Sequence, residues 1–214
     1  MKLYNSNLSP FASRVRAQIY AKGLSVELVD PPGGPHSPEY ANINPMEKIP
    51  ALDDNGFHLP ESATIMDYIE DRFPNPSLRP EDPKARATVR LLARIADLYI
   101  LGALVPLFAQ VNPKTRDEKV TDAALTDLAK ALVNAERYLD QGNYAVGGRL
   151  SLADCTLAPA LFFVEKLGPA FGRSDLFPGK LKAYWAAIQR DPTIAKVLKE
   201  QDVALAQRLG ASRA

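Results

Sequence analysis

The sequence predicts an α+β domain over residues 1–76 and an all-α helical-bundle domain over residues 84–214. Three observations carry that prediction. Short β-like runs alternate with amphipathic helical segments only at the start of the chain. Pro74, Pro76, Pro80 and Pro83 then follow closely, making a stiff, extended connection that sets a linker at 77–83. Beyond it, the apolar residues recur at three- and four-residue spacing, as helices require.

Residues 2–5 read as a short first strand. Residues 10–22 carry Phe11, Ala12, Val15 and Ile19 at helical spacing, and Gly23 follows as a residue that ends a helix. Val26, Leu28 and their neighbours read as a second strand. The Pro- and Gly-rich stretch 31–45 reads as a loop with at most one helical turn. Residues 49–52 and 57–59 flank Asp53-Asp54-Asn55-Gly56, and the Asn-Gly pair makes them a β-hairpin. A helix opens at Ser62 and runs to Arg72, with Ile65, Met66 and Ile69 on its inner face. Helices are then predicted over 84–109, 117–139, 151–167, 180–189 and 193–209. The first of these is apolar on more than one face.

The 214 residues include 26 basic and 25 acidic side chains, a formal net charge of +1. Nothing in that balance draws the chain to nucleic acid or to an acidic lipid surface. No apolar run approaches the ~18 residues of a membrane span, and no apolar stretch follows the first Met and Lys as in a signal peptide. The one cysteine, Cys155, leaves no partner for an internal disulfide, a Cys-x-x-Cys pair or a cysteine-rich zinc site. His36 and His58 are the only histidines. The expectation is a cytoplasmic protein with no metal, no nucleic-acid partner and no membrane partner.

Four local patterns bear on chemistry. Ser9 stands in Leu8-Ser9-Pro10-Phe11-Ala12-Ser13-Arg14, a strand-to-helix turn, as an N-cap ahead of a proline at the first helical position. The same geometry sets a hydroxyl beside the positive end of a helix, where it can donate to an anion. The sequence supplies no Ser-His-Asp triad, so Ser9 reads as a donor to another group's charge. Lys48-Ile49-Pro50 opens the hairpin. A cis Ile49–Pro50 bond would aim that backbone at the end of the first strand, free to pair with an extended ligand; a trans, structural bond is the other reading.

Glu61-Ser62 opens a helix, with Ser62 as a plain N-cap or as the holder of a ligand carboxylate together with the free amides after it. Glu61 would then pair a ligand ammonium, the pattern that recognises an α-amino acid head group. Ser151-Leu152-Ala153-Asp154, with Leu150 as staple, is a capping box that nucleates a helix. Cys155 beside it reads as a small core residue rather than a reactive thiol.

In this order and spacing, the four patterns resemble the cytosolic glutathione transferase superfamily over essentially the whole chain, closest in motif to its serine-type zeta, tau and theta-like classes. The resemblance implies a thioredoxin-like first domain and glutathione as co-substrate. It implies that Ser9 activates the glutathione sulfur, with Arg14 five residues on. It also implies that Ile49-Pro50 is the family's cis-proline turn and that Glu61-Ser62 hold the γ-glutamyl end. Lys48, with His36 beside it, would hold the glycine carboxylate. Tyr4 lies on the first strand, unlike the tyrosine of the tyrosine-type classes; Ser6 precedes the turn and Ser13 lies a turn into the helix.

Serine in place of cysteine at position 9 argues against chemistry through a mixed disulfide. Zeta-type isomerases carry Ser-Ser-Cys-Ser-Trp-Arg where this chain has Ser9-Pro10-Phe11-Ala12-Ser13-Arg14. A small hydrophobic electrophile is expected against Phe11 and a helical wall of Tyr99, Leu101, Gly102, Val105, Pro106 and Phe108, residues that would equally suit a bundle core. A homodimer is implied, with Asp97 near the partner's γ-glutamyl site. The activity implied is glutathione transfer. A glutathione-dependent isomerase of the maleylacetoacetate type, an ether-cleaving lyase and a non-catalytic protein of the same fold are the alternatives.

Overall fold

The computed structural model describes residues 1–211. They form two compact units. One comprises Met1–Leu78 together with the last helix, and the other Arg79–Asp191.

The first unit runs β1 (Lys2–Tyr4), α1 (Pro10–Ala21), β2 (Glu27–Val29), α2 (Pro38–Ala41), β3 (Ala51–Asp54), β4 (Phe57–Pro60) and α3 (Ser62–Arg72). The strands make one mixed sheet in the order β2-β1-β3-β4; β1 pairs parallel to β2 and antiparallel to β3. Gly23, at φ +63°, ends α1 as expected. Its amide donates to Tyr20 O and the Leu24 amide to Ile19 O, the two bonds of a Schellman motif. The β3–β4 hairpin turns through Asn55 and Gly56, both at positive φ, as the two-residue turn of a right-twisted hairpin demands. Leu3, Leu52, Ile65 and Ile69 form the wholly buried core between sheet and helices.

The last helix, α9 (Pro192–Ala211), packs on α1. The sequence reading put residues 84–214 in one helical domain. By its contacts α9 belongs instead with the first unit, because Arg16 and Tyr20 of α1 both bond Glu200.

The second unit is built from α4 (Pro83–Ile95), a π-helical segment (Ala96–Leu101), α5 (Gly102–Ala109), α6 (Glu118–Tyr138), α7 (Leu152–Leu167) and α8 (Gly179–Ile188). Residues Leu152 to Val164 of α7 are all buried, so α7 is the axis of the bundle. The Asp154 carboxylate is wholly inside. It accepts from the amides of Ala145 and Ser151, from the Ser151 hydroxyl and from Tyr184 Oη. The capping box therefore anchors a loop and α8 as well as nucleating a helix. Cys155 is wholly buried, as a core residue.

The helix expected over 84–109 is continuous but irregular, its middle turn wider than an α-helix. Pro106 within it has no amide hydrogen to give the Gly102 carbonyl. An 18-residue window of Pro83–Ala109 has mean hydropathy 1.8, long and apolar enough to pass as a membrane span by composition, and 44% of that window is buried within the protein. The sequence reading found no such run; the window shows because the scattered charges of α4 give way to an apolar second half.

Candidate active site

The sheet register brings the predicted glutathione residues to one end of the first unit. Tyr4, the last residue of β1, pairs with Ala51, the first of β3; Ala51 in turn pairs with Pro60, the last of β4. The turn before α1, the residues before β3 and the start of α3 therefore leave the sheet on the same side. From β1 to β4 is two strand spacings, about 10 Å. An extended three-residue peptide spans about 10–11 Å.

Ser9 is the N-cap of α1, in extended backbone, and its Oγ accepts from the Ala12 amide at 3.2 Å. That bond uses a lone pair. A hydroxyl has one donor and two acceptor sites, so capping leaves the O–H proton available, and Ser9 donates it to no described residue. Capping and donation to an anion are thus compatible. Ser13 is buried and accepts from Arg16, and Tyr4 packs edge-on against Tyr40 at 5.5 Å; Ser9, half-buried, is the hydroxyl that stands at the N-terminus of α1.

The Ile49–Pro50 peptide bond is cis. Ile49 N–H and C=O make no backbone hydrogen bond among the described residues. The preceding carbonyl is fixed: Lys48 O accepts from Tyr40 Oη at 2.6 Å and from Asn44 Nδ2 at 2.7 Å. Burial pushes the Tyr40 hydroxyl above its ordinary pKa, so it stays a donor. The Lys48 side chain is exposed. His36 is exposed and its Nδ1 lies 3.0 Å from Glu47 Oε2, which ties the 31–37 loop to the approach to β3.

At α3 the structure corrects the reading of Ser62 as an N-cap. Glu61 is the N-cap, at φ +68° and ψ +106°, and makes no side-chain cap bond. Ser62 is the first helical residue and is buried. The amides of the first turn consequently lack a capping side chain, and Glu61 stands exposed beside them.

The apolar wall expected on helix 84–109 divides into two faces. Tyr99, Gly102 and Pro106 lie together on a groove of about 750 Å³ faced by Val120 and Ala123 of α6. Leu101, Val105 and Phe108 follow a different i, i+4, i+7 line, with Leu101 buried and Phe108 edge-on to Phe163 at 5.2 Å. Phe11, in the first unit, is half-buried with the Arg14 guanidinium 5.1 Å from its ring centre. Asp97 pairs with Arg94 at 3.7 Å.

Two buried polar clusters behind the site have no counterpart in the sequence reading. Arg16, wholly buried, bonds the turn leading to Ser9 and reaches Glu200. Burial lowers its pKa while Glu200 acts to raise it. Lys22 Nζ sits 2.8 Å from Glu70 Oε1 and donates to the carbonyls of Phe73 and Pro76, clasping the chain after α3. A cationic residue among the apolar residues of α1, or just past its end, is the signal that marks the two. Among the described residues no cluster of His, Cys, Asp and Glu suits a metal ion.

Comparison with known proteins agrees with this fold. Residues 3–77 match the family model for the glutathione S-transferase N-terminal domain, and residues 95–192 that for the C-terminal domain. A maleylacetoacetate isomerase of Rattus norvegicus is 31% identical over 176 residues, 77% of this chain and 78% of that protein. A stringent starvation protein A homolog of Haemophilus ducreyi is 31% identical, covering 89% of this chain and 86% of its own. The holo structure of a maleyl pyruvate isomerase, a bacterial zeta-class glutathione S-transferase, superposes with a TM-score of 0.77 at 26% identity over 92% of this chain and 96% of that one. A thioredoxin-like α+β region followed by a helical bundle, matched along both parts, identifies the chain as a member of the glutathione S-transferase superfamily.

Proposed function

We propose that the protein is a glutathione-dependent transferase in which the Ser9 hydroxyl stabilises the glutathione thiolate for attack on a hydrophobic electrophile. The observation that carries this reading is the convergence of three unpaired donor sets at one sheet end. These are the free proton of Ser9, the unpaired backbone of Ile49 before a cis proline, and the uncapped amides of α3 beside Glu61. A tripeptide thiol with an α-amino acid head group has matching acceptors and matching length.

Glutathione supplies the nucleophile; the residues supply its ionisation and its place. A free thiol of pKa about 8.5 is only a few per cent ionised at neutral pH. Lowering that value by two units needs about 2.7 kcal/mol of preferential thiolate stabilisation. One hydrogen bond to a charge contributes about 1.5–3 kcal/mol and a helix N-terminus about 0.3–1 kcal/mol more. Those magnitudes close without a general base, so Ser9 need only donate. Ser62, the α3 amides and Glu61 hold the head group, Ile49 pairs the backbone, and Lys48, with His36, receives the terminal carboxylate. Phe11 lies two residues past the sulfur donor and lines the electrophile side. Exposed Leu98, Tyr99 and Val105 support a two-fold homodimer, and the absence of a second cysteine supports a cytoplasmic setting.

The isomerase relatives favour a second reading, in which glutathione is regained each turnover. Mass analysis of glutathione after complete turnover decides between them. A conjugate in stoichiometric yield supports transfer, recovered free glutathione supports isomerisation, and no retention on immobilised glutathione with no turnover of any electrophile overturns both.

A further inference from the structure

Behind Ser9 lies a bonding pattern that core packing does not require. The Arg16 guanidinium is wholly buried, and all its nitrogens are used. Nη1 donates to Asn5 Oδ1 at 2.7 Å and to Ser6 O at 3.2 Å; Nη2 donates to Asn7 O at 3.3 Å and to Ser13 Oγ at 3.0 Å. Three of these acceptors belong to residues 5–7, the irregular segment joining β1 to Ser9. The Ser9 amide donates to the Ser6 carbonyl at 3.0 Å, the same carbonyl that Arg16 holds. Nε is pinned from the other side by Glu200 Oε2 at 3.0 Å, and Glu200 is itself held by Tyr20 Oη. The Tyr20 hydroxyl, pushed up to about 12, remains a proton donor at any working pH.

An apolar side chain would fill the same volume without taking a cation out of water. What it could not do is satisfy the carbonyls of an irregular turn, which otherwise stay free to reorient. Glu200 lies beyond the matched family segments, which end at residue 192, so the family match does not account for it.

We infer that Arg16 and Glu200 are positioning residues for catalysis: α9, through Glu200, fixes Arg16, which holds the 5–7 turn so that the Ser9 hydroxyl is aimed at the sulfur. This rests on the reading of Ser9 as the thiolate donor. The pair touches neither sulfur nor head group. Its loss therefore acts on the thiol pKa and leaves glutathione affinity alone.

The test is a double-mutant cycle of Ser9→Ala and Glu200→Ala, reading the pKa of bound glutathione by thiolate absorbance and its Kd by calorimetry. Glu200→Ala alone should raise the thiol pKa by about half to one unit, a threefold to tenfold loss of thiolate well below the pKa. Kd for glutathione measured where the thiol is protonated should stay within about twofold of the parent value. In the Ser9→Ala background Glu200→Ala should add nothing, and Arg16→Lys, which keeps the charge but not the fork, should behave like Glu200→Ala. If Glu200→Ala is too unstable to titrate, Glu200→Gln is read in the same cycle.

A Glu200→Ala protein with the parent's thiol pKa overturns the positioning role while Ser9 stands. Additive shifts in the double mutant overturn it as well. No shift in Ser9→Ala removes the donor itself, and the positioning role falls with it.

Discussion

Glu61 carries backbone strain at the position proposed to pair the glutathione ammonium, and replacing it with glycine should move stability and affinity in opposite directions. At φ +68° and ψ +106° it sits where side chains are rarely found, and it gains no capping bond in return. Such a conformation costs on the order of 1–3 kcal/mol for a residue with a Cβ. Glu61→Gly removes that cost, less about 0.4–1 kcal/mol for the greater freedom of glycine in the unfolded chain. The net expectation is a gain of about 1 kcal/mol, or about 2–4 °C in Tm for a protein of this size. The same change deletes the carboxylate proposed to pair the glutathione ammonium. Losing one such charged contact costs about 2 kcal/mol, roughly thirtyfold in Kd. Thermal unfolding without glutathione and calorimetric titration with it read the two effects separately. Glu61→Ala, which keeps the Cβ, should lose the affinity without the gain in stability. A Glu61→Gly protein that is less stable than the parent, or one that binds glutathione within threefold of it, refutes this reasoning.

Two further predictions concern the buried polar groups. Burial pushes the Asp154 carboxyl from 3.8 up to about 6, so between those values the folded protein holds a proton that the unfolded chain has released. The carboxyl's contribution to stability is therefore full below about pH 4 and lost as pH rises through 6. Chemical denaturation should show the parent losing roughly 2 kcal/mol relative to Asp154→Asn between pH 4 and 7, and a pH-independent difference would contradict this. Lys22→Met leaves buried Glu70 without its cation and should destabilise the protein by about 3–5 kcal/mol. Lys22→Met with Glu70→Met should recover only part of that loss in the denaturant midpoint, because the Phe73 and Pro76 carbonyls and the Leu78 amide then lose their partners.

Where the sequence was legible, the signals were local. Gly23, Asn55-Gly56 and the Ser151–Asp154 box each specify their own backbone geometry, and each element boundary near them follows the expectation closely. Ser9 was legible because a cap beside Pro10 depends only on neighbouring residues. Ser62 lies one position inside the cap because the non-helical backbone falls at Glu61, a residue type that does not announce a cap. The wall on helix 84–109 merged two faces for a related reason. Ala96–Leu101 holds ordinary helix formers, so nothing in its composition announces a wider turn that rotates the residues after it. Arg16–Glu200 spans 184 positions of sequence and Lys22–Glu70 depends on where the chain goes after α3; such pairings exist only once the tertiary fold does.

The central claim is that Ser9 ionises the sulfur by donating one hydrogen bond. Thiolate absorbance of glutathione bound to the parent and to Ser9→Ala, followed across pH, tests it most directly. The account predicts a thiol pKa about two units below the free value of ~8.5 in the parent, returning most of the way to it in Ser9→Ala with little change in glutathione affinity where the thiol is protonated. Superimposable titrations of the two proteins, each with glutathione bound, would contradict it.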